Sequence, residues 1–328
     1  MNLRVSVVIP NFNGDKYLKA CLASLKNQNV KRFEVIVIDD SSTDGSFEAA
    51  KAEYANGEEL PKFRFIKRSE NGGFCRSVND GIKAAEADYV ILLNNDTEAE
   101  PDFVYRMYKA IRADKNIFSV AAKMVNMYDR DLIDDAGDCY CALGWAFAPD
   151  KDKPVKTHGK KRCRIFSACG GAAIYRKTLL YELGLFDEAH FAYLEDVDIG
   201  YRARLKGYEN MYEPSAVVYH AGSGVSGSRH NEFKVRLSAA NGLYLIYKNM
   251  PTWQIIFNIP LITWGIIIKA AYFSKKGLGK AYLEGLGKGF ELIRDGSSKR
   301  VDFSDVPPAT VMGIELELIY NCGRRFLG

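Results

Sequence analysis

The chain has 328 residues, 47% hydrophobic and 26% charged, with a net charge of +4. That balance belongs to an ordinary globular protein and excludes intrinsic disorder. A charge so small, with no basic run interleaved with aromatics, excludes a nucleic-acid groove.

Val5 to Ile9 is a short apolar run stopped by Pro10, and it reads as a core strand rather than a signal peptide. Tyr17 to Gln28 sets Leu18, Cys21, Leu22 and Leu25 at helical spacing. Phe33 to Ile38 is again β-branched and ends in Asp39-Asp40. A helix from about Ser46 to Tyr54, a strand at Phe63 to Ile66, a helix from Phe74 to Ala85 and a strand at Tyr89 to Leu93 follow. Strands this continuously apolar are covered on both faces, as in parallel sheets. The alternation predicts an α/β fold with a doubly wound, mainly parallel sheet. Such sheets bind ligands at the carboxyl ends of their strands. Those ends carry Asn11, Asn13, Asp39, Asp40, Asn94 and Asp96.

Residues 115–230 are mixed. Gly170-Gly171 interrupts an apolar stretch, as a bulge or a close backbone approach to a ligand would. Asp196 to Leu205 reads as a short helix and Ala216 to Tyr219 as a strand ending at His220. The chain then changes character. Pro251 to Ile268 has no charge but is broken by Gln254, Asn258, Pro260, Thr263 and Gly265, which leaves it borderline for a membrane span. Lys275 to Arg294 reads as a basic amphipathic helix for an anionic bilayer surface. A helical cap, or a face for a second subunit in a homodimer, is the competing reading. The expected division is a catalytic domain at 1–230 and a helical region at 231–328. The seven cysteines are scattered and odd in number, which predicts reduced thiols in the cytoplasm. Cys139, Cys141, His158 and Cys163 match no common zinc spacing.

Several blocks together resemble one family. They are Val7 to Asn13, Val35 to Ser46, Asn71 to Gly81, Leu92 to Asp96, Gly170 to Ala173, Phe186 to Glu188, Leu194 to Asp198 and Pro214 to His220. In this order they resemble the inverting family-2 glycosyltransferases, and within them bacterial rhamnosyltransferases of cell-surface polysaccharide synthesis. The resemblance implies the GT-A fold, a nucleotide-sugar donor (UDP or dTDP, with dTDP-rhamnose in the narrower match) and a Mn²⁺ or Mg²⁺ ion. It implies a saccharide acceptor, lipid-linked, met by a peripheral protein on the inner face of the plasma membrane. Pro10, Asn11, Asn13, Asn94, Asn95 and Gly171 fall along the implied donor site.

The residue chemistry agrees. Asp39 and Asp40, at a strand end, suit a base imide or ribose hydroxyl. Asp44 suits a cap for the helix at Ser46. Asp96 suits a hard cation that also bridges substrate phosphates. His220, at the family's place for a metal histidine, is its expected partner and tilts the choice toward Mn²⁺. Asn94 stands where the family commonly has an aspartate. Asp196 is the expected base that takes the acceptor proton. Glu195 and Asp198 are its rivals for that role, and Glu195 otherwise suits contact with the acceptor or donor sugar. Asp198 points about 200° from Asp196 on a helix and suits a pair with Arg202. Arg76 and Asn79, at a helix start after two glycines, suit phosphate or base contact. Gly222 to Ser228 reads as a mobile loop over the diphosphate. A nucleotidyltransferase is the enzymatic rival, but Asn11 to Gly14 lacks its basic glycine-rich loop. A non-catalytic nucleotide-sugar-binding protein of the same fold is the other rival.

Overall fold

The structure is a computed structural model, and it describes residues 4–55, 60–222, 230–295 and 300–327. The first strands are β1 (Val5–Asn11), β2 (Glu34–Asp39), β3 (Lys62–Lys67) and β4 (Tyr89–Leu93). Between them run α1 (Leu18–Lys26), α2 (Ser46–Tyr54) and α3 (Gly73–Ala84). These strands lie parallel in the order β3-β2-β1-β4. Alternate side chains go to opposite faces. Val7, Ile9, Val35 and Val37 meet α1 and α2 in one core, and Val8, Ile36 and Ile38 meet α3 in the other. Each fully buried Val or Ile is worth about 1.5–3 kcal/mol. Two-sided burial is therefore what turns these runs into central strands.

Beyond β4 the sheet is mixed. Short β5 (Thr97–Ala99) and α4 (Phe103–Ile111) lead to β6 (Ile117–Asn126), β7 (Ile133–Asp135) and the small hairpin of β8 (Cys139–Cys141) and β9 (Trp145–Phe147). Then come β10 (Cys163–Ile165), β11 (Ala172–Arg176), α5 (Lys177–Glu182), α6 (Glu195–Leu205) and β12 (Glu209–His220). The order continues β4-β11-β6-β12-β10, with β11 antiparallel to both neighbours and β6 parallel to β12. Thus the strand expected at Ala216 to Tyr219 is the end of a longer one, shifted in register between Glu213 and Val217.

Four helices close the chain: α7 (Glu232–Asn249), α8 (Thr252–Lys275), α9 (Gly279–Arg294) and α10 (Pro308–Leu327). α8 runs unbroken through Pro260, where the ring removes one intrahelical hydrogen bond. Leu245, Ile246 and Met250 pack with Val197 and Tyr201 of α6 and with Ile314 and Leu318 of α10.

Candidate active site

The strand ends form a cleft of about 630 Å³, lined among others by Pro10, Asn11, Phe12, Asp40, Asn94, Asn95, Asp96, His220 and Lys234. Its floor is a network of side chains that serve one another. Asn11 Nδ2 donates to Asp39 Oδ1 at 2.9 Å, and Asn95 Nδ2 donates to Asn11 Oδ1 at 2.7 Å. The second oxygen of Asp39 accepts the Ser42 N–H at 3.0 Å. Asn13, at φ 49°, accepts the Thr43 N–H on its side-chain oxygen; asparagine tolerates this left-handed backbone. Asp44 accepts the Ser46 N–H at 3.0 Å, at the start of α2.

Asp39 is fully buried at the floor, one oxygen accepting from Asn11 and the other from Ser42. Asp40 lines the cleft, but its carboxylate accepts the Gly72 and Gly73 N–H groups and pairs with Arg68 at 3.0 Å. Gly73 sits at φ +82°, and a Cβ there would strike the Phe191 ring. Arg76 and Asn79, the expected donor contacts, meet protein partners in this structure. They lie three apart on one face of α3 and turn to the 186–188 segment. Arg76 pairs with Glu188 at 3.2 Å, while Asn79 donates to the Phe186 carbonyl and accepts its N–H. Neither lines the cleft. Gly171 supports it from behind, its carbonyl accepting the Asn94 N–H at 2.9 Å.

Antiparallel pairing of β5 with β12 sets Thr97 opposite His220 and so brings Asp96 to the imidazole. His220 Nε2 lies 3.2 Å from Asp96 Oδ1. His220 Nδ1 donates to Asp134 Oδ2 at 2.6 Å, and Asp134 also holds Lys151. Burial opposes charge on His220, but the two carboxylates overcome it and carry its pKa up to about 9. Burial likewise opposes charge on Asp134, yet His220 and Lys151 hold it down at about 2. This donor set fits a hard divalent ion. Two neighbouring ligands of an octahedron with bonds of about 2.1 Å lie about 3 Å apart, as these atoms do. With Nδ1–H committed to Asp134, Nε2 is the nitrogen left to a metal, which would displace the proton that Nε2 otherwise holds toward Asp96.

Asp196, in the first turn of α6, is not among the residues lining the cleft; the Gly170 N–H approaches its Oδ2 at 3.3 Å, and Gly170 lies against Phe74, which does line it. The Val197 N–H holds the other oxygen at 2.8 Å. Burial raises the Asp196 pKa, while these backbone donors oppose the rise. Glu195 is raised much further, first by burial and then by Asp196, and its Oε2 has no partner among the described residues. Burial thus pushes both carboxyls up, Glu195 further than Asp196. Asp198 is spent as expected on Arg202, at 2.6 Å, and also on Lys248 and Asn249.

The loop before α6 is strained, with Phe191, Tyr193 and Leu194 all at positive φ. Such backbone persists only where its surroundings over-determine it. Asn241 of α7 supplies the brace, directing Nδ2 at the carbonyls of His190, Ala192 and Tyr193 at 2.8–2.9 Å. Of the thiols and histidine considered for zinc, none forms a set among the described residues. The one close three-way grouping of metal-ligand types among the described residues is buried Asp135 with half-buried Asp138 and Cys169. All seven cysteines are free thiols. Most of the loop expected over the diphosphate, Gly222 to Ser228, lies outside the described residues.

The profile of glycosyl transferase family 2 matches residues 6–184. The chain belongs to that family. Among relatives of this glycosyltransferase is the glycosyltransferase GlyG of Streptococcus pneumoniae, 28% identical over 58% of this chain and 61% of its own. Another is the N-acetylglucosaminyl-diphospho-decaprenol L-rhamnosyltransferase of Mycobacterium tuberculosis, 26% identical over 65% of this chain and 75% of its own. Matches to the first curated relatives span less than two thirds of their length. The fold is shared with a mannosyltransferase of Pyrobaculum calidifontis, solved with GDP-Man and Mn²⁺. Its TM-score is 0.57 at 14% identity, over 90% of this chain and 88% of that one. The GT-A fold expected from the sequence is therefore the fold of this glycosyltransferase. Three of its site residues escape a sequence reading. Asp134 comes from a three-residue strand, Lys234 from the first turn of α7, and Asn241 from mid-helix.

Proposed function

We propose that this chain moves a hexose or deoxyhexose, with inversion, from a UDP- or dTDP-sugar to a hydroxyl of a lipid-linked saccharide in cell-surface polysaccharide synthesis. The observation that carries the reading is the meeting of Asp96 and His220 Nε2 at 3.2 Å in a cleft at the strand ends. Mn²⁺ or Mg²⁺, held by these two residues, supplies charge stabilisation to the departing diphosphate when bound. Lys234, buried at the cleft near Asp96, adds positive charge where the diphosphate would lie. Asn11, Asn13 and Asn95 form the floor, and the backbone around Pro10 and Asp40 offers contacts to the nucleoside. Asp196 takes the acceptor proton as the new glycosidic bond forms at the anomeric carbon and the diphosphate leaves from the opposite face. Glu195, beside Asp196, contacts the acceptor or donor sugar. The rhamnosyltransferase relative supports dTDP-rhamnose as the first donor to try. A lipid-linked acceptor favours a peripheral protein at the membrane surface.

Asp196→Asn is expected to keep the thermal shift given by UDP- or dTDP-sugars with Mn²⁺ and to lose transfer by at least about 10²-fold. Near-normal turnover in that variant removes Asp196 from the role. Full activity in excess EDTA removes the metal.

A further inference from the structure

Helix α8 is built inside out. Its buried residues are Gln254, Asn258, Ile262 and Gly265, a spacing that stacks them on one stripe. The two amides there are fully buried and held by Glu315 of α10. Gln254 Nε2 donates to Glu315 at 2.7 Å, and Asn258 Nδ2 donates to both of its oxygens at 3.0 and 2.9 Å. The opposite stripe carries Trp253, Ile256, Trp264 and Ile267, which are 45–62% exposed. In water an amphipathic helix faces the other way, apolar side in and polar side out. Polar side chains paired inside, with large apolar ones outside, are the arrangement of a helix whose outer neighbour is hydrocarbon.

α10 repeats the pattern. Met312, Leu316, Ile319 and Tyr320 are exposed, while Glu315 turns to α8 and Glu317 to Arg204. Neither outward stripe carries a carboxylate. Exposed Lys275, Lys276 and Lys280 follow at the junction of α8 and α9. The inward stripe of α8 stays packed on protein as far as Gly265, which lies against the Leu143 carbonyl. The helix therefore lies along the body instead of leaving it to cross a bilayer.

We infer that the outward faces of α8 and α10 sit within the acyl boundary of an anionic lipid leaflet, with the lysines at the junction of α8 and α9 among its headgroups. The inference deepens the lipid-linked-acceptor reading and rests on it for its purpose: the cleft is held where a lipid-borne saccharide emerges. Hydrocarbon satisfies the indoles and isoleucines, and anionic headgroups satisfy the lysines.

The protein has three tryptophans. Trp145 is buried, so Trp253 and Trp264 report the outward face. The full chain is mixed with phosphatidylglycerol vesicles whose acyl chains carry bromine. The expected result is flotation with the vesicles, a blue shift and quenching of the indoles. Ile256→Glu with Ile267→Glu is expected to weaken flotation at least about tenfold and to leave the UDP-induced thermal shift in place. A wild-type protein that is not quenched overturns the inference. That holds whether it stays in solution, floats by charge alone, or proves to be a dimer with α8 covered by a second copy. Quenching without any nucleotide response supports the inference and overturns the donor reading instead.

Discussion

Asp134 decides which nitrogen of His220 is left for a metal. Its carboxylate accepts from Nδ1 at 2.6 Å, which leaves Nε2 to face Asp96. Outer partners of this kind are worth about 10–100-fold in metal affinity. Asp134→Asn is expected to weaken Mn²⁺ binding by that amount, read by titration calorimetry with the metal alone. Unchanged affinity would show that Asp134 only packs the strand end. His190 makes the opposite use of burial. Burial lowers its pKa to about 4, against a smaller raising effect of Asp198. Neither ring nitrogen has a hydrogen-bond partner among the described residues. The folded protein therefore refuses a proton that the unfolded chain accepts below about 6.5. The neutral ring's contribution to stability is present above pH 6.5 and is lost as pH falls toward 4. His190→Phe is expected to flatten the fall in melting temperature between pH 7 and 5; an identical slope would refute this. Nothing in the sequence around His190 announces its state, because the walls that bury it come from α6 and α7. Asp96 and His220, by contrast, were legible, since each stands at the end of an apolar strand. The partners of Asn79 were not legible, because a helix start after two glycines looks the same whether it faces a phosphate or a neighbouring loop.

Among the elements, α9 shows how closely two helices approach. A Cβ on Gly285 would stand 2.3 Å from the Arg236 carbonyl oxygen and 2.8 Å from the Ala239 side chain, whereas one on Gly287 would meet nothing within 4 Å. The same substitution should thus have opposite signs two residues apart. Gly285→Ala is expected to destabilise by about 1–3 kcal/mol, the usual toll of forcing atoms into a filled site. Gly287→Ala should gain up to about 1 kcal/mol from helix propensity. Urea midpoints of the two variants test this, and equal effects would mean that α9 is not docked on α7. The strands were readable because burial on both faces leaves a run such as Val35 to Ile38 no polar option. The orientation of α8 was not readable. Its lack of charge is plain, but which stripe turns inward depends on Glu315, far along the chain.

At the scale of the whole molecule, the expected boundary near residue 230 separates parts that the structure joins. Lys248 of α7 reaches Asp187 at 2.5 Å and Asp198 at 3.0 Å, and Tyr244 donates to Asp187. Asn241 braces the loop before α6 from the same helix. We read the catalytic body as extending through α7, with α8, α9 and α10 as the appended part. A sequence break is visible where composition shifts, at Pro251. It is invisible in α7, whose polar residues look solvated until the loop they hold is in view.

The floor of the cleft carries one more consequence. Asn11, Asp39, Asn95 and Ser42 are locked to one another before anything enters. Immobilising a side chain on association ordinarily costs about 0.5–1.5 kcal/mol. Here that entropy is surrendered during folding, so an arriving nucleotide meets a rigid mould. On the proposed reading, little rearrangement of these four side chains would accompany its arrival.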